Sequence, residues 1–263
     1  MNQFKDAAPP PPPPKSSGAG VPILIIVVVT GFALLLVAGC VLVPVALLLP
    51  AIQAARDAAR MAQCVNNMKQ VSVALRMYEE AHGAYPPAVV TDENGKPMHS
   101  WRVLILPYLE RQDLYQRYDM SEPWNGPNNS KLLAEMPSAF KCPAAGDHAP
   151  GETGIQVITG EETMFPPTGG VRRSDVKDGE SNTILLIEAG KTPVKWLEPS
   201  DFDFSRLEQG ETPQGEHRHL ILGTADMSIL RVDRNADPNV LKELATRAGS
   251  EAVDMSAIQY QMP

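Results

Sequence analysis

The feature that most constrains this chain is a long uncharged segment near its start. Residues Val21–Leu49 are 29 positions without an Asp, Glu, Lys or Arg. As a helix rising about 1.5 Å per residue, the segment would be roughly 43 Å long, more than the ~30 Å of a bilayer core. A buried core helix of this length would normally keep a polar face. The sequence therefore predicts a transmembrane helix over 21–49.

The residues before this segment are rich in proline. Six consecutive prolines lie within Met1–Gly20, and such a run favours polyproline II and cannot pack a core. We expect a disordered tail over 1–20, with a ligand for a proline-binding domain as the alternative.

Leu36–Cys40, inside the uncharged segment, is similar to a lipoprotein processing box, but ten more apolar or proline residues follow it. We therefore do not expect lipidation there.

The span is predicted to continue directly into an amphipathic helix over 50–87. After Pro50, apolar and small residues recur at spacings of three and four, which is typical of a helix with one buried face. Gly83 and the two prolines that follow it are predicted to end the helix. The apolar stripe comprises Ile52, Ala55, Ala59, Ala62, Val65, Met68, Val71, Leu75 and Tyr78, and the opposite face carries Arg56, Asp57, Arg60, Asn67, Lys69 and Arg76.

A single helix cannot bury its own apolar stripe, so residues further along the chain must cover it. "NTILLIE", "HLILGT" and "SILRV" are typical of short β-strands, and "GTADMS" between the last two indicates a hairpin turn. Asp237–Gly249 has a capping Asp, a helical pattern and a closing Gly. We expect an α+β domain over 88–249, with a small antiparallel sheet packed on the upper half of the helix, and a C-terminal tail over 250–263.

Charge and motifs argue against several classes of function. The net charge is −8, and the excess of acidic residues lies after residue 50, whereas nucleic-acid binding needs a basic face. The sequence has no phosphate-binding loop, no nucleophile elbow and no catalytic-cysteine signature. We expect no nucleic-acid partner, no catalytic residues, no cofactor and no metal.

Two weaker patterns leave alternatives open. His217 and His219 would lie on one face of a strand and could bind a metal ion, although a polar strand edge is the simpler interpretation. Glu198, Asp201 and Asp203 could hold calcium, but their spacing is not that of a calcium-binding loop. For these three we expect a solvated acidic loop.

Cys64 and Cys142 lie outside the predicted span and could form a disulfide in an oxidising compartment. The bond would close a large loop and would stabilise the fold by roughly 4–5 kcal/mol in a chain-entropy model. The alternative is a pair of small buried residues in a reduced protein.

Aromatic residues are concentrated over positions 101–124. We expect them to form the core of the domain, and any that are exposed would be candidates for a partner or glycan surface. The set comprises Trp101, Tyr108, Tyr115, Tyr118 and Trp124.

Several segments, in this order, resemble a known family, the pilin-like domain of unknown function abundant in planctomycete bacteria. The resemblance covers residues 45–190 strongly and continues weakly to 232. Members of that family often carry a prepilin-type cleavage segment in front and a His-X9-Asp-Gly motif near the end. The matching segments are "LLLPAIQAARDAARMAQCVNNMKQ", "LRMYEEAHGAYPP", "SWRVLILPYLE", "EPWNGPNN", "FKCP" and "VKDGESNTILLIE".

The chain departs from the family pattern at both ends. "SSGAGVPILIIVVV" has neither an aromatic residue after the glycine nor a Glu at the fifth mature position, so we expect no prepilin cleavage and a permanent anchor. Near the end, Asp226 is followed by Met227 instead of Gly, and eight residues instead of nine separate it from His217. We expect the turn at this position to be altered.

The resemblance implies a pilin-like fold, a short cytoplasmic N-terminal tail and a C-terminal domain outside the cytoplasm. It implies a single-pass, membrane-anchored surface or envelope protein with a structural or binding role and no catalysis. The expected partners are the lipid bilayer and either further copies of the chain or another envelope protein. The alternatives are a pseudopilin-type subunit of a secretion or pilus system and an anchored enzyme acting on polysaccharide.

Overall fold

The computed structural model describes residues 11, 20–146 and 148–249. The predicted N-terminal tail, apart from residues 11 and 20, and the predicted C-terminal tail over 250–263 lie outside the described residues. The side chains of residues 20–23 and 38–47 are also outside the described part, including the cysteine of the lipoprotein-like box. The chain forms two compact units, Met1–Ala55 and Arg56–Pro263.

One long helix, α1, covers Gly20–His82. In the first unit, the large apolar side chains described between residues 24 and 37 are all more than half exposed. Within the described part of the chain, no helix combines the length and the hydrophobicity that a membrane span requires. The span over 21–49 stays a prediction.

In the second unit, α1 becomes buried from about residue 64 onward. Met68, Val71 and Leu75 are fully buried, which confirms these members of the predicted stripe. Cys64, which was not part of the predicted stripe, is 1% exposed. The lower stripe residues Ala59 and Ala62 are exposed, so that part of the pattern is not covered by the domain.

The helix ends at the glycine that the sequence predicted as its stop. The Gly83 N–H donates to the carbonyl of Glu79, and Gly83 has a φ of +78°. Glycine adopts this left-handed conformation without the steric cost that a Cβ would impose, so it ends the helix at His82.

Asn67 and Arg76 correct the predicted polar face of α1, because both are buried. Asn67 Nδ2 donates to the carbonyls of Ser138 and Lys141, at 3.0 and 2.6 Å. Arg76 Nη2 donates to the carbonyl of Ala225 at 2.6 Å and pairs with a carboxylate oxygen of Glu180. The covering segments bring unpaired backbone carbonyls onto this face of the helix, and these polar side chains satisfy them.

The remaining elements of the described residues are short. Four further α-helices are α2 Trp101–Leu104, α3 Gln112–Arg117, α4 Phe204–Glu208 and α5 Pro238–Ala245. The 3₁₀ helices are Leu106–Leu109, Asn129–Glu135, Ser138–Phe140, Arg173–Asp175 and Glu180–Asn182. The strands are β1 Val89–Thr91, β2 Pro97–Ser100, β3 Glu152–Thr153, β4 Ile155–Gln156, β5 Ile158–Thr159, β6 Ile184–Glu188, β7 Val194–Lys195, β8 Phe202–Asp203, β9 Leu220–Thr224 and β10 Ile229–Val232.

The largest sheet has four antiparallel strands in the order β10-β9-β6-β4. The three segments predicted as strands are β6, β9 and β10, and β9 and β10 form the predicted hairpin. β1 pairs with β2 and β3 pairs with β7, both antiparallel, whereas β5 and β8 are parallel. The mixed α+β character and the small antiparallel sheets are therefore confirmed.

Both faces of the four-stranded sheet are covered. Leu186 and Ile221 belong to a core cluster that includes the buried residues of α1, whereas Ile187 and Leu222 pack in a second cluster with α4 and α5. A Cβ built on Gly223 would come within 3.3 Å of Ser72 Oγ, so β9 lies close against α1. This contact agrees with the prediction that the sheet packs on the upper part of the helix.

The turn between β9 and β10 has, at Met227, a backbone conformation that glycine favours. Met227 has a φ of +68°, a region that non-glycine residues adopt at a steric cost. Asp226 Oδ1 accepts from Thr224 Oγ1 and from the Ser228 N–H. These hydrogen bonds hold the turn despite the methionine.

Helix α5 begins as predicted and ends four residues early. Asp237 Oδ1 accepts from the Asn239 N–H, which is an N-terminal cap. At the other end, Thr246 is extended and pairs with Thr163. This pairing removes the chain from the helix before Gly249.

Candidate functional site

A cavity of about 450 Å³ opens beside the upper part of α1. Gln63 and Asn67 of α1 form one wall, and residues between 134 and 152 form the rest. Its ionisable lining residues, among those described, are Lys141, His148 and Glu152. The cavity is large enough to bind a small molecule.

A disulfide between Cys64 and Cys142 lies at this cavity, with the Cα atoms 4.8 Å apart. Cys64 lies about one turn before Asn67 on α1. Because Asn67 donates to the carbonyls of Ser138 and Lys141, it holds the segment before Cys142 against the helix. The bond joins positions 78 residues apart.

His217 lies directly beside the disulfide. Its Nε2 is 3.3 Å from Cys142 Sγ, and the residue is 7% exposed. Burial lowers the pKa of His217, and the nearby charges of Arg231 and Arg234 lower it further, while Glu216 opposes them. Burial therefore favours the neutral form of this imidazole.

The predicted arrangement of His217 and His219 on one strand face is wrong. Residues 216–219 form bends, and β9 begins only at Leu220. Arg234 helps to fix the backbone path of residues 216–219. Its Nη2 donates to the carbonyl of Gly215, at 2.8 Å, and to the carbonyl of His217. These bonds hold the segment out of the strand ladder and direct His217 to the disulfide.

A second group of ionisable residues surrounds the end of β6. Glu188 is fully buried and accepts from the Glu216 N–H at 3.0 Å. Glu216 in turn contacts Lys191 Nζ at 2.9 Å and His148 Nε2 at 3.4 Å. Burial is the main cause that raises the pKa of Glu188 to about 7, with a further contribution from the charge of Glu216.

Two glycines allow this carboxylate to be enclosed. A Cβ on Gly190 would come within 2.5 Å of Glu188 Oε1, and one on Gly215 within 2.2 Å of Glu188 Oε2. A side chain at either position would collide with the carboxylate. Neither Glu188 nor Glu216 lines the cavity of about 450 Å³ beside α1.

This group of ionisable residues was not predicted from the sequence. The one local indication in the sequence is that Glu188 is the last residue of the otherwise apolar strand Ile184–Glu188. A strand that is apolar throughout is typically buried on both faces, and its last residue is then buried with it. The partners Glu216 and His148 come from distant segments, and no spacing in the sequence relates them.

The prediction that Asp201 lies in a solvated acidic loop is wrong. Its carboxylate is 1% exposed and pairs with the fully buried Arg102, Nη2 to Oδ1, at 2.6 Å. The Trp101 Nε1–H and the Val157 N–H also donate to it. Asp203 caps α4 by accepting from the Ser205 N–H. Asp201 is thus engaged with protein donors and is not available as a calcium ligand.

The five aromatic residues that were predicted to form the core or a partner surface differ in how deeply they are buried. Trp101 and Tyr118 are buried, at 0% and 5% exposed. Tyr108, Tyr115 and Trp124 are partly buried and pack against the same core cluster. Of these, Tyr108 also borders a groove with Val73 and Met77 of α1, whose side chains are exposed.

A family model described as "Protein of unknown function (DUF1559)" matches residues 53–259. No curated protein and no solved structure matches the chain. The matched range includes the upper part of α1, both core clusters, the disulfide and the cavity, and it is most of the sequence. The chain therefore belongs to the DUF1559 family.

Proposed function

We propose that this protein is a single-pass, membrane-anchored envelope protein whose C-terminal domain lies outside the cytoplasm. The observation that carries the proposal is the Cys64–Cys142 disulfide, because disulfides persist in oxidising compartments and are rare in the cytosol. The uncharged segment over 21–49 supplies the anchor. The short N-terminal tail then lies on the cytoplasmic side, as the family resemblance implies. Lys5 and Lys15 before the span are matched by Arg56 and Arg60 after it, so the distribution of positive charge does not set the orientation.

The role of the domain in this proposal is structural or ligand-binding, without catalysis and without a cofactor. In support, the paired carboxylates Glu188 and Glu216 do not line the cavity. The cavity itself offers a lysine, a histidine and a glutamate from one short segment. That composition suits recognition of a small polar ligand.

The pilin-like relation remains part of the proposal. A long N-terminal helix whose upper part is covered by a small antiparallel sheet is the arrangement that the resemblance implies. Exposed apolar side chains on α1, including Val73 and Met77, provide a surface for another copy of the chain or for an envelope partner. This surface also favours the second candidate, a pseudopilin-type subunit.

Membrane extraction tests the anchor. The full chain with a C-terminal tag should stay in the membrane pellet after carbonate washing. A variant with Val28→Arg and Leu35→Arg should be released, since each arginine at the centre of a span costs about 2.5–3.5 kcal/mol. The matched control, Val28→Leu with Leu35→Val, should remain in the pellet. Release of the unsubstituted chain would refute the anchor.

Sequencing the N-terminus of the extracted chain separates the two candidates. An intact tail supports a permanent anchor and a displayed domain. Cleavage near Gly20 would instead show prepilin-type processing and favour the pseudopilin-type subunit.

A further inference from the structure

The Cys64–Cys142 disulfide has a buried imidazole beside it that a structural cross-link does not need. His217 Nε2 faces Cys142 Sγ at 3.3 Å, although sulfur is only a weak hydrogen-bond acceptor. The two sulfur atoms and an imidazole nitrogen of His217 all lie within 4.8 Å of one another. Three separate parts of the chain therefore bring two sulfur atoms and an imidazole nitrogen to one point.

We propose that reduction of this disulfide creates a site for a single Zn²⁺-type ion, with Cys64, Cys142 and His217 as the protein ligands. Thiolate sulfur and imidazole nitrogen are the ligands that zinc prefers in proteins. The proposal goes beyond the anchored binding role and does not depend on where the domain resides.

The chemistry takes two steps. A dithiol reductant supplies two electrons and two protons; the S–S bond breaks, Cys64 and Cys142 become thiols, and the reductant becomes a disulfide. Zn²⁺ then displaces the two thiol protons and forms two Zn–S bonds and one Zn–N bond to His217. Metal binding therefore releases two protons and is favoured by higher pH.

The arrangement of the ligands fits such a site after a small rearrangement. Zn–S bonds of about 2.3 Å and Zn–N bonds of about 2.0–2.1 Å place neighbouring tetrahedral ligands roughly 3.5–3.8 Å apart. The Cys142–His217 contact of 3.3 Å is already close to this separation. Once the covalent bond is broken, the sulfur atoms must move apart. The cavity beside Cys142 leaves space for its side chain to make this movement.

The fourth coordination position would be open. Three protein ligands leave one position for water or another small ligand, as in catalytic zinc sites, whereas structural sites are closed by four protein ligands. The cavity of about 450 Å³ lies against Cys142 and gives that position an approach from solvent. An exchangeable ligand there would couple the redox state of the disulfide to the occupant of the cavity.

Metal titration of the full chain in detergent tests the proposal. The chain is reduced anaerobically with a phosphine, passed over a desalting column and titrated with Co²⁺ and then Zn²⁺. We expect one metal ion per chain by mass spectrometry of the eluted protein, with the sulfur-to-cobalt absorption band of thiolate ligation. The oxidised chain should bind none. Binding of equal amounts by the oxidised and reduced chains would overturn the proposal.

Variants then identify the ligands. His217→Gln should weaken zinc binding by about tenfold or more, because loss of even an outer-shell partner costs 10–100-fold. His219→Gln is the matched control and should bind as the parent chain does. The double variant Cys64→Ser with Cys142→Ser should lose the cobalt absorption band. Unchanged affinity in His217→Gln, or binding by the double serine variant equal to that of the parent, would contradict the assignment.

Circular dichroism of each sample shows whether reduction unfolds the domain. If the reduced chain unfolds, Zn²⁺ should restore its spectrum, since binding to a site that exists only in the fold stabilises the fold. A reduced chain that neither binds nor refolds with metal would overturn the proposal.

Discussion

Arg102 and Asp201 form an ion pair inside the domain, with Nη2 and Oδ1 2.6 Å apart and both side chains at most 1% exposed. Arg102 Nη2 also donates to the carbonyl of Ile155. The pair thus joins α2, the segment at β4 and the loop before β8. Such a pair can be held in the core only while both partners are present, because a single buried charge is strongly destabilising.

Asp201→Asn should therefore destabilise the domain by about 3–5 kcal/mol, since it leaves the Arg102 charge buried without a counter-ion. Urea denaturation followed by tryptophan fluorescence measures the change. The matched control is Glu135→Gln, which removes one partner of an exposed pair with Arg117 and should change stability little. Equal effects of the two substitutions would show that the buried pair is not a main contributor to stability.

Glu188 should make stability depend on pH. Its folded pKa of about 7 is above the ordinary value of 4.5, so the fold disfavours its ionised form. Its favourable contribution is complete below about pH 4.5 and is lost as pH rises through 7. The loss is up to about 3 kcal/mol from the pKa difference.

Glu188→Gln should remove this dependence. Relative to the parent chain, the variant should gain stability as pH is raised from 5 to 8, measured as the difference in unfolding free energy at each pH. Glu93→Gln, at an exposed glutamate, should follow the parent profile. A constant difference between Glu188→Gln and the parent over this range would contradict the raised pKa.

Met227→Gly should stabilise the hairpin between β9 and β10. The φ of +68° at this position strains a residue with a Cβ but not glycine. We expect a gain of about 0.5–1 kcal/mol, reduced by the greater backbone freedom of glycine in the unfolded chain. Met227→Ala keeps the Cβ and should give no gain. A thermal melt in which both variants behave alike would exclude backbone strain as the cause.

The disulfide should be a large contributor to stability. Cys64→Ser combined with Cys142→Ser should lower the unfolding free energy by about 4 kcal/mol, the value expected for a closed loop of this size in the chain-entropy model. Reductant should lower the melting temperature of the parent and leave that of the double variant unchanged. A melting temperature of the parent that is insensitive to complete reduction would contradict this contribution.

The elements that the sequence predicted well depend on local patterns. The upper part of α1, the strand at Ile184–Glu188, the following hairpin and the start of α5 each have an apolar period or a capping residue within a few positions. The family pattern has glycine at Met227, and the positive φ at this position is the conformation for which glycine is favoured.

The predictions that failed depend on distant contacts. Asn67 and Arg76 look solvent-facing on a helical projection, yet carbonyls of later segments surround them. Asp201 looks like a loop carboxylate, yet its partner lies 99 positions earlier in the chain. His217 was predicted to lie on a strand beside His219, whereas bonds from Arg234 direct its segment to the disulfide. No local spacing contains this information.

Protease accessibility tests the central claim, an anchored domain on the outer side of the membrane, most directly. Spheroplasts that carry the chain with a C-terminal tag are treated with protease, beside a cytosolic marker protein. We predict loss of the tag signal while the marker stays intact, and Cys64 and Cys142 recovered as a disulfide-linked peptide pair from untreated cells. A tag that is protected until the membrane is permeabilised, together with two free thiols, would contradict the account.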